Sequence, residues 1–342
     1  VSIPRTTRGT LLLSTTIVWT LWLVLMVTGE RWHLFLENAE AGIPRWFMSI
    51  TMAVGSFIAG ATSEGGGAVA FPVMTLAFGI PPGTARDFSL LIQAVGMTSA
   101  AFTILCTRIQ VERHAILWAG LGGAVGIILG LEQVAPRLPA AYAKMFFTAT
   151  WLSFAFALFW INRYHDREVH TSIENCLPRH ALLLVGTGIV GGVITSISGS
   201  GLDIATFSLL VLRLRVCERV ATPTSVVLMG GNALVGALYR GGVQGALAPE
   251  AWSYWWVCVP IVVVGAPFGA RFIRDRSRLF ISAILYASIG TQTIAALCII
   301  PLSPRIAGFS AAVFLAGILF FRSMANRGVR RLEWLASRRS SG

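Results

Sequence analysis

Lysine is all but missing, with Lys144 the only one in 342 residues. It stands in Ala143-Lys144-Met145-Phe146, outside any G-x-x-x-x-G-K-[ST] pattern, so the chain carries no phosphate loop. Any transport by this chain must run on a gradient or on ATP hydrolysed elsewhere. Charge of either sign is scarce: Asp, Glu, Lys and Arg make up 12% of the residues, where a soluble domain has about a quarter. That shortage excludes a soluble enzyme, a coiled coil and a disordered scaffold. Cysteines are few and odd in number (Cys106, Cys176, Cys217, Cys258, Cys298), without C-x-x-C spacing, so neither a disulfide framework nor a zinc site is expected. All five histidines (His33, His114, His165, His170, His180) fall between apolar runs or at their ends. A catalytic residue, a metal and a cofactor are therefore all expected to be absent.

What fills the chain instead is apolar: 55% hydrophobic residues and a mean hydropathy of +0.72. With no water to satisfy a bare backbone in the hydrocarbon, an α-helical bundle is the default for such a sequence. Windows of about 20 apolar residues fall near 11–28, 46–62, 84–106, 114–133, 140–161, 180–197, 220–240, 251–270, 278–300 and 304–321. The first resembles a signal peptide but is longer than the usual ~7–15-residue apolar region. It reads as a retained transmembrane helix. The net charge of +12 is spread over short connections with no continuous basic face, so it points to membrane orientation and lipid contact and not to nucleic acid.

Two further apolar stretches, 67–80 and 201–212, are too short to cross comfortably, and each follows a glycine break. One break is Glu64-Gly65-Gly66-Gly67 and the other Ser198-Gly199-Ser200-Gly201. Gly65, Gly67 and Leu76 match Gly199, Gly201 and Leu210 at one offset. Ala85 and Ser89 match Ala221 and Ser225, and Gly126-x-x-x-Gly130 matches Gly265-x-x-x-Gly269, at slowly growing offsets. The expected fold is an all-α polytopic membrane protein of two inverted repeats. Each repeat holds a broken or re-entrant hairpin plus three transmembrane helices, and one extra helix stands at each end. The divisions are 1–45, repeat 1 at 46–161, a cytoplasmic connector at 162–179, repeat 2 at 180–300, and 301–342 with a basic tail. Placing both termini in the cytoplasm leaves seven basic residues outside (Arg31, Arg45, Arg86, Arg137, Lys144, Arg240, Arg305) against twenty inside, as the positive-inside rule requires.

Interrupted helices at corresponding repeat positions are the sequence pointer to a transporter's central site. Half-helices starting in the membrane offer N–H groups and a positive dipole end to an anion. The candidate substrate-binding residues are Thr62, Ser63, Gly65, Gly66, Gly67, Ser198, Gly199, Ser200 and Gly201, with Ser196 as a further hydroxyl. Gln93 and Asn232 sit on matching small-polar stripes of the following helices. Tight packing of small residues explains the same pattern without a ligand. Glu64 and Asp203 are ionisable groups expected inside the membrane, a functional hypothesis by default. They are the candidates for proton coupling, since a buried carboxyl is cheaper to hold protonated. The plain alternatives are a neutral Glu64 bonded to nearby backbone and an Asp203 capping its own half-helix.

The run Gly65-Gly66-Gly67-Ala68-Val69-Ala70-Phe71-Pro72-Val73-Met74, then Gly79-Ile80-Pro81 and Ala85, is similar to the signature of the TauE/SafE sulfite-exporter family. So is Ile109-Gln110-Val111 leading to Gly122, Gly126 and Gly130, and the likeness covers roughly 48–300. It implies a passive or proton-linked carrier for sulfite, organosulfonates or similar sulfur oxyanions in the bacterial inner membrane. Glu64 stands where that family usually has a small residue, and the second break lacks the triple glycine. The expected partners are the small anion and membrane lipids, with a homodimer left open. A channel with the same site fits the sequence equally. A rhomboid-like serine hydrolase lacks its histidine base, and a presenilin-like aspartyl pair lacks its second motif.

Overall fold

The computed structural model describes residues 5–38, 42, 44–62, 64–162, 170–173, 177–273 and 278–340. Among them the chain forms twelve α-helices. The first six are α1 (Arg5–Thr28), α2 (Trp46–Ala61), α3 (Gly67–Pro72), α4 (Pro82–Cys106), α5 (Arg113–Leu129) and α6 (Ala140–Asn162). The others are α7 (Pro178–Ser198), α8 (Leu202–Ser208), α9 (Glu218–Leu238), α10 (Pro249–Ile273), α11 (Arg278–Ile299) and α12 (Pro304–Ser340). Eight are long and apolar enough to cross a membrane. α2 has only 16 residues, about 24 Å of helix against a hydrocarbon core of about 30 Å. Every apolar window of the sequence is therefore a helix, but α2 stops short of a full crossing.

Local chemistry sets the boundaries. Proline opens α4, α7, α10 and α12, where its fixed φ suits a first turn and its missing N–H costs nothing. Glu112 caps α5 by accepting the His114 N–H at 3.1 Å. The two short helices α3 and α8 each run on into a π-helical turn, Val73–Ala77 and Leu209–Arg213. Both then close the same way. Phe78 N–H donates to Val73 O and Ile80 N–H to Met74 O, while Leu214 N–H donates to Leu209 O and Val216 N–H to Leu210 O. Ala85 N–H to Pro81 O and Ala221 N–H to Cys217 O repeat the next step. The similarity read from glycines and leucines thus extends to backbone hydrogen bonds at matching places.

Each short helix turns back toward the face its hairpin came from. Phe47 at the start of α2 meets Phe78 beyond the first half-helix, ring centroids 5.1 Å apart. His170, shortly before α7, bridges to Val216 beyond the second. The helices between are stitched by glycine. Gly60 of α2 abuts the Ala266 carbonyl of α10, and Gly265 and Gly269 of α10 abut Ser56 and the Phe57 carbonyl of α2. Likewise Gly122 and Gly126 of α5 abut the Val185 and Ile189 carbonyls of α7, and Gly188 and Gly192 of α7 abut the Ala119 and Gly123 carbonyls of α5. Small residues let backbones approach this closely where the hydrophobic effect cannot draw helices together. α4 crosses both α9 and α10 at the centre.

The few charges sit at the helix ends and tie them together. Asp87 accepts from Arg86, from Arg240 in the π-helical turn after α9 (Nη2 at 2.8 Å) and from the Ala248 N–H. Near the opposite ends Glu112 accepts the Ile173 N–H at 2.7 Å, and its own N–H donates to Thr224 of α9. Trp32, Trp46 and Trp252 are exposed, as an interfacial belt requires. Trp255 instead donates its indole N–H to Leu91 O at 3.1 Å and fastens α10 to α4. α12 continues as one helix for 37 residues, about 55 Å, well past what a crossing needs.

Candidate functional site

The two glycine breaks meet. Gly65 has φ +50°, in the left-handed region that favours glycine, and a Cβ there would lie 2.5 Å from Asp203 Oδ2, 2.6 Å from Gln93 Oε1 and 2.9 Å from Ser200 Oγ. A Cβ on Gly67 would lie 2.7 Å from Gln93 Nε2 and 3.2 Å from Gly199 O. Gln93, on α4, is the staple between them. Its amide Nε2 donates to Gly199 O at 2.6 Å and to Ser89 O at 3.0 Å. Its carbonyl Oε1, like Ser89 Oγ, is buried with no hydrogen-bond partner. Gly66 packs beside Gln93, while Gly199, at φ +85°, ends α7 against Ser89 and the Arg86 carbonyl.

The second break is internally saturated. Asp203 Oδ1 accepts the Gly201 N–H at 2.8 Å and the Ile204 N–H at 3.0 Å, and Oδ2 accepts the Ser200 hydroxyl at 2.8 Å. Leu202 N–H donates to Thr195, and the Ser198 hydroxyl donates to Ser200 O. Asp203 therefore caps α8 with its own carboxylate, as its place in the first turn suggested. An anion arriving here meets donors already engaged.

The first break is different. Glu64 is 0% exposed, and neither of its carboxyl oxygens makes a hydrogen bond of good geometry, with the Ser288 hydroxyl alongside them. Its backbone N–H donates to Thr62 Oγ1 at 3.2 Å, and Thr62 in turn donates to Ile58 O. Asp203 faces it from α8 and Ser288 from α11. Buried polar groups are almost always bonded, and an exception in a native fold calls for a reason.

Of the residues singled out in the sequence, Thr62, Glu64, Gly65, Gly66, Gly67, Gln93, Gly199, Ser200 and Asp203 come together, with Ser198 and Gly201 in the backbone around them. Ser63 lies outside the described residues. Asn232 stands apart: it faces Gly123 of α5 beside Leu202, with both amide atoms unbonded. Ser196 donates to Val193 O and packs against Gly130, away from the breaks. Sequence reasoning passed over Ser89, noted only as a stripe residue, and missed Ser288 altogether. The signal for Ser288 was its spacing to Gln292, i and i+4 on a span that also carries Ser282, Thr291 and Thr293.

What the site can do chemically follows from its unbonded atoms. Gln93 Oε1 and the Glu64 oxygens accept hydrogen bonds, and the Glu64 carboxylate can also take a proton. In the carboxyl form, Glu64 also donates a hydrogen bond. No group of three or more metal-binding side chains occurs among the described residues. A family model described as Sulfite exporter TauE/SafE matches residues 47–291, from α2 through most of α11. No curated protein and no solved structure matches the chain. With its glycine breaks, its eight spanning helices and a family match over most of its length, this multi-pass membrane protein belongs to the TauE/SafE sulfite-exporter family.

Proposed function

We propose that the protein exports a small sulfur-containing oxyanion, sulfite or an organosulfonate, by alternating access around the contact between the two broken hairpins. The observation that carries this reading is the convergence of both breaks on Gln93, beside a buried Glu64 whose carboxyl form can donate to an anion. On this reading the closeness of the breaks corresponds to an occluded state, and the anion enters when they separate. Glu64 then serves as the switchable donor: protonated, it offers the anion a hydrogen bond, and ionised, it repels it. Asp203 is the second candidate for proton coupling, but its cap on α8 must loosen before it takes part. Purified protein should be stabilised against heat by sulfite and sulfonates, less by carboxylates and phosphonates, and not by cations. Stabilisation by Na⁺ alone would point to Glu64 and Asp203 as its ligands and remove the anion reading. Saturable counterflow in proteoliposomes identifies a carrier, and ohmic single-channel current a channel.

The two units are inverted in this proposal, with both termini and the connector in the cytoplasm of a bacterial inner membrane. Its support is the split of basic residues and the hairpins' attachment to the two ends of α4 and α9. Arg240 joins Asp87 near one end, and Thr224 joins Glu112 near the other. A cysteine at position 170 should be protected from impermeant thiol reagents in intact cells and labelled after the membrane is opened. Labelling from outside would sink the arrangement.

A further inference from the structure

Between the first half-helix and α11 lies a slot of about 490 Å³. It runs from Ala68 and Ser288 at the depth of the break to Ala77 and Ile299 at the end of both elements. Most of its wall is apolar, but α11 places Ser288 and Gln292 one turn apart along it. Gln292 is only 7% exposed, and neither its amide nitrogen nor its oxygen has a partner. At the deep end Ser288 meets Glu64, whose oxygens have no other protein donor. A lipid chain filling the slot would leave all of these atoms unsatisfied. Water in the slot, whose volume holds on the order of ten molecules, reaches Gln292 once its amide turns toward it, and reaches Glu64 through Ser288. The corresponding slot beside the second half-helix, about 350 Å³ between α6, α7, α8 and α12, presents Thr150 and the Trp151 indole and no carboxyl or amide. Only the first of the two is equipped to carry charge.

We propose that the slot is the water-filled route by which protons reach Glu64, with Gln292 and Ser288 ordering the water along it. This rests on the reading of Glu64 as the switchable donor. Asp203 is the titratable group that faces Glu64, and its oxygens are held by Ser200, Gly201 and Ile204. Glu64 is therefore the carboxylate whose lone pairs are not held in a cap, and the Ser288 hydroxyl stands between it and the slot. A hydronium at the Ala77–Ile299 mouth passes one proton along the water to a Glu64 oxygen. The carboxylate becomes a carboxyl, the hydronium becomes water, and the reverse path discharges it. One proton moves, and no electron is exchanged.

Two measurements test this in the full-length protein. In a chain whose five cysteines are alanine, Ala295→Cys should react with a charged, water-soluble thiol reagent. Absence of labelling there overturns a hydrated slot. In reconstituted protein, the carboxyl C=O band that vanishes in Glu64→Gln should rise after a downward pH jump. Gln292→Leu, of similar volume, should slow that rise by more than about tenfold, and Ser288→Ala by less. An unchanged rate in both variants overturns the proposal, and if Gln292→Leu does not fold, Ser288→Ala and the labelling decide it. The two readings fail separately. Should Glu64→Gln leave the pH dependence of anion binding untouched, the Glu64 linkage is wrong, whatever the labelling shows. Should that dependence flatten while the band rate ignores the slot variants, the slot is wrong and the linkage stands.

Discussion

Gly65→Ala should abolish transport and lower the stability of the folded protein by about 2–5 kcal/mol. Two costs add. Alanine at φ +50° pays about 1–2 kcal/mol for a left-handed backbone, and forcing a methyl into a filled site costs about 1–3 kcal/mol. The atoms it would strike are not free to swing aside, because Asp203 is held by three hydrogen bonds and Gln93 by two. Gly79→Ala is the control: its φ is +66°, but nothing lies within 4 Å of the added carbon. It should show the backbone cost alone. Thermal unfolding in detergent and counterflow in proteoliposomes read the two effects. If Gly65→Ala behaves like Gly79→Ala, the contact between the breaks is not what holds them. Gly65→Ala with Gln93→Ala should recover part of the stability if crowding is the cause.

Glu64→Gln should keep anion affinity while erasing its dependence on pH. If the bound anion requires the carboxyl form, binding takes up a proton. Affinity then rises as pH falls, by at most about tenfold per unit for one proton, and levels off once the unliganded protein is already protonated. Glutamine has nearly the same shape, offers a donor at every pH and cannot titrate. Its Kd for the anion should therefore stay within about twofold over a span in which the unaltered protein changes by an order of magnitude or more. The measurement is a binding titration between about pH 5 and 8, corrected for the anion's own ionisation. Matching profiles in the two proteins would leave Glu64 a structural residue.

The breaks themselves were plain in the sequence because glycine clusters inside apolar runs have few other uses, and their recurrence marked them as a pair. Helical spacing also put Ser89 and Gln93 on one face of α4. Spacing tells which residues share a face, but not which distant segment that face meets. Gln93 bonds Gly199, 106 residues away, and a matching stripe sent Asn232 to α5 instead. Asp203 was legible as a cap from its first-turn position, since that interaction is local. Glu64's neighbour on α11 was not, because that span holds Ser282, Thr291 and Thr293 as well, and such hydroxyls are ordinary packing material until a carboxyl is found opposite one of them. The length of α2 was legible as well: its apolar window, 46–62, runs only one residue past the helix.

The glycine stitching has a mechanical consequence. α2 is locked to α10 and α5 to α7 by backbone-to-backbone contact, so each locked pair takes one member from each half of the sequence. Sliding or rolling within such a pair would drive carbonyl oxygens into Cα atoms, and close-packed interfaces of this kind do not deform smoothly. The halves at 46–161 and 180–300 consequently cannot swing as two separate blocks. The stiff bodies are the mixed pairs, and the joints are the flanks of the two half-helices, where cavities take the place of stitching.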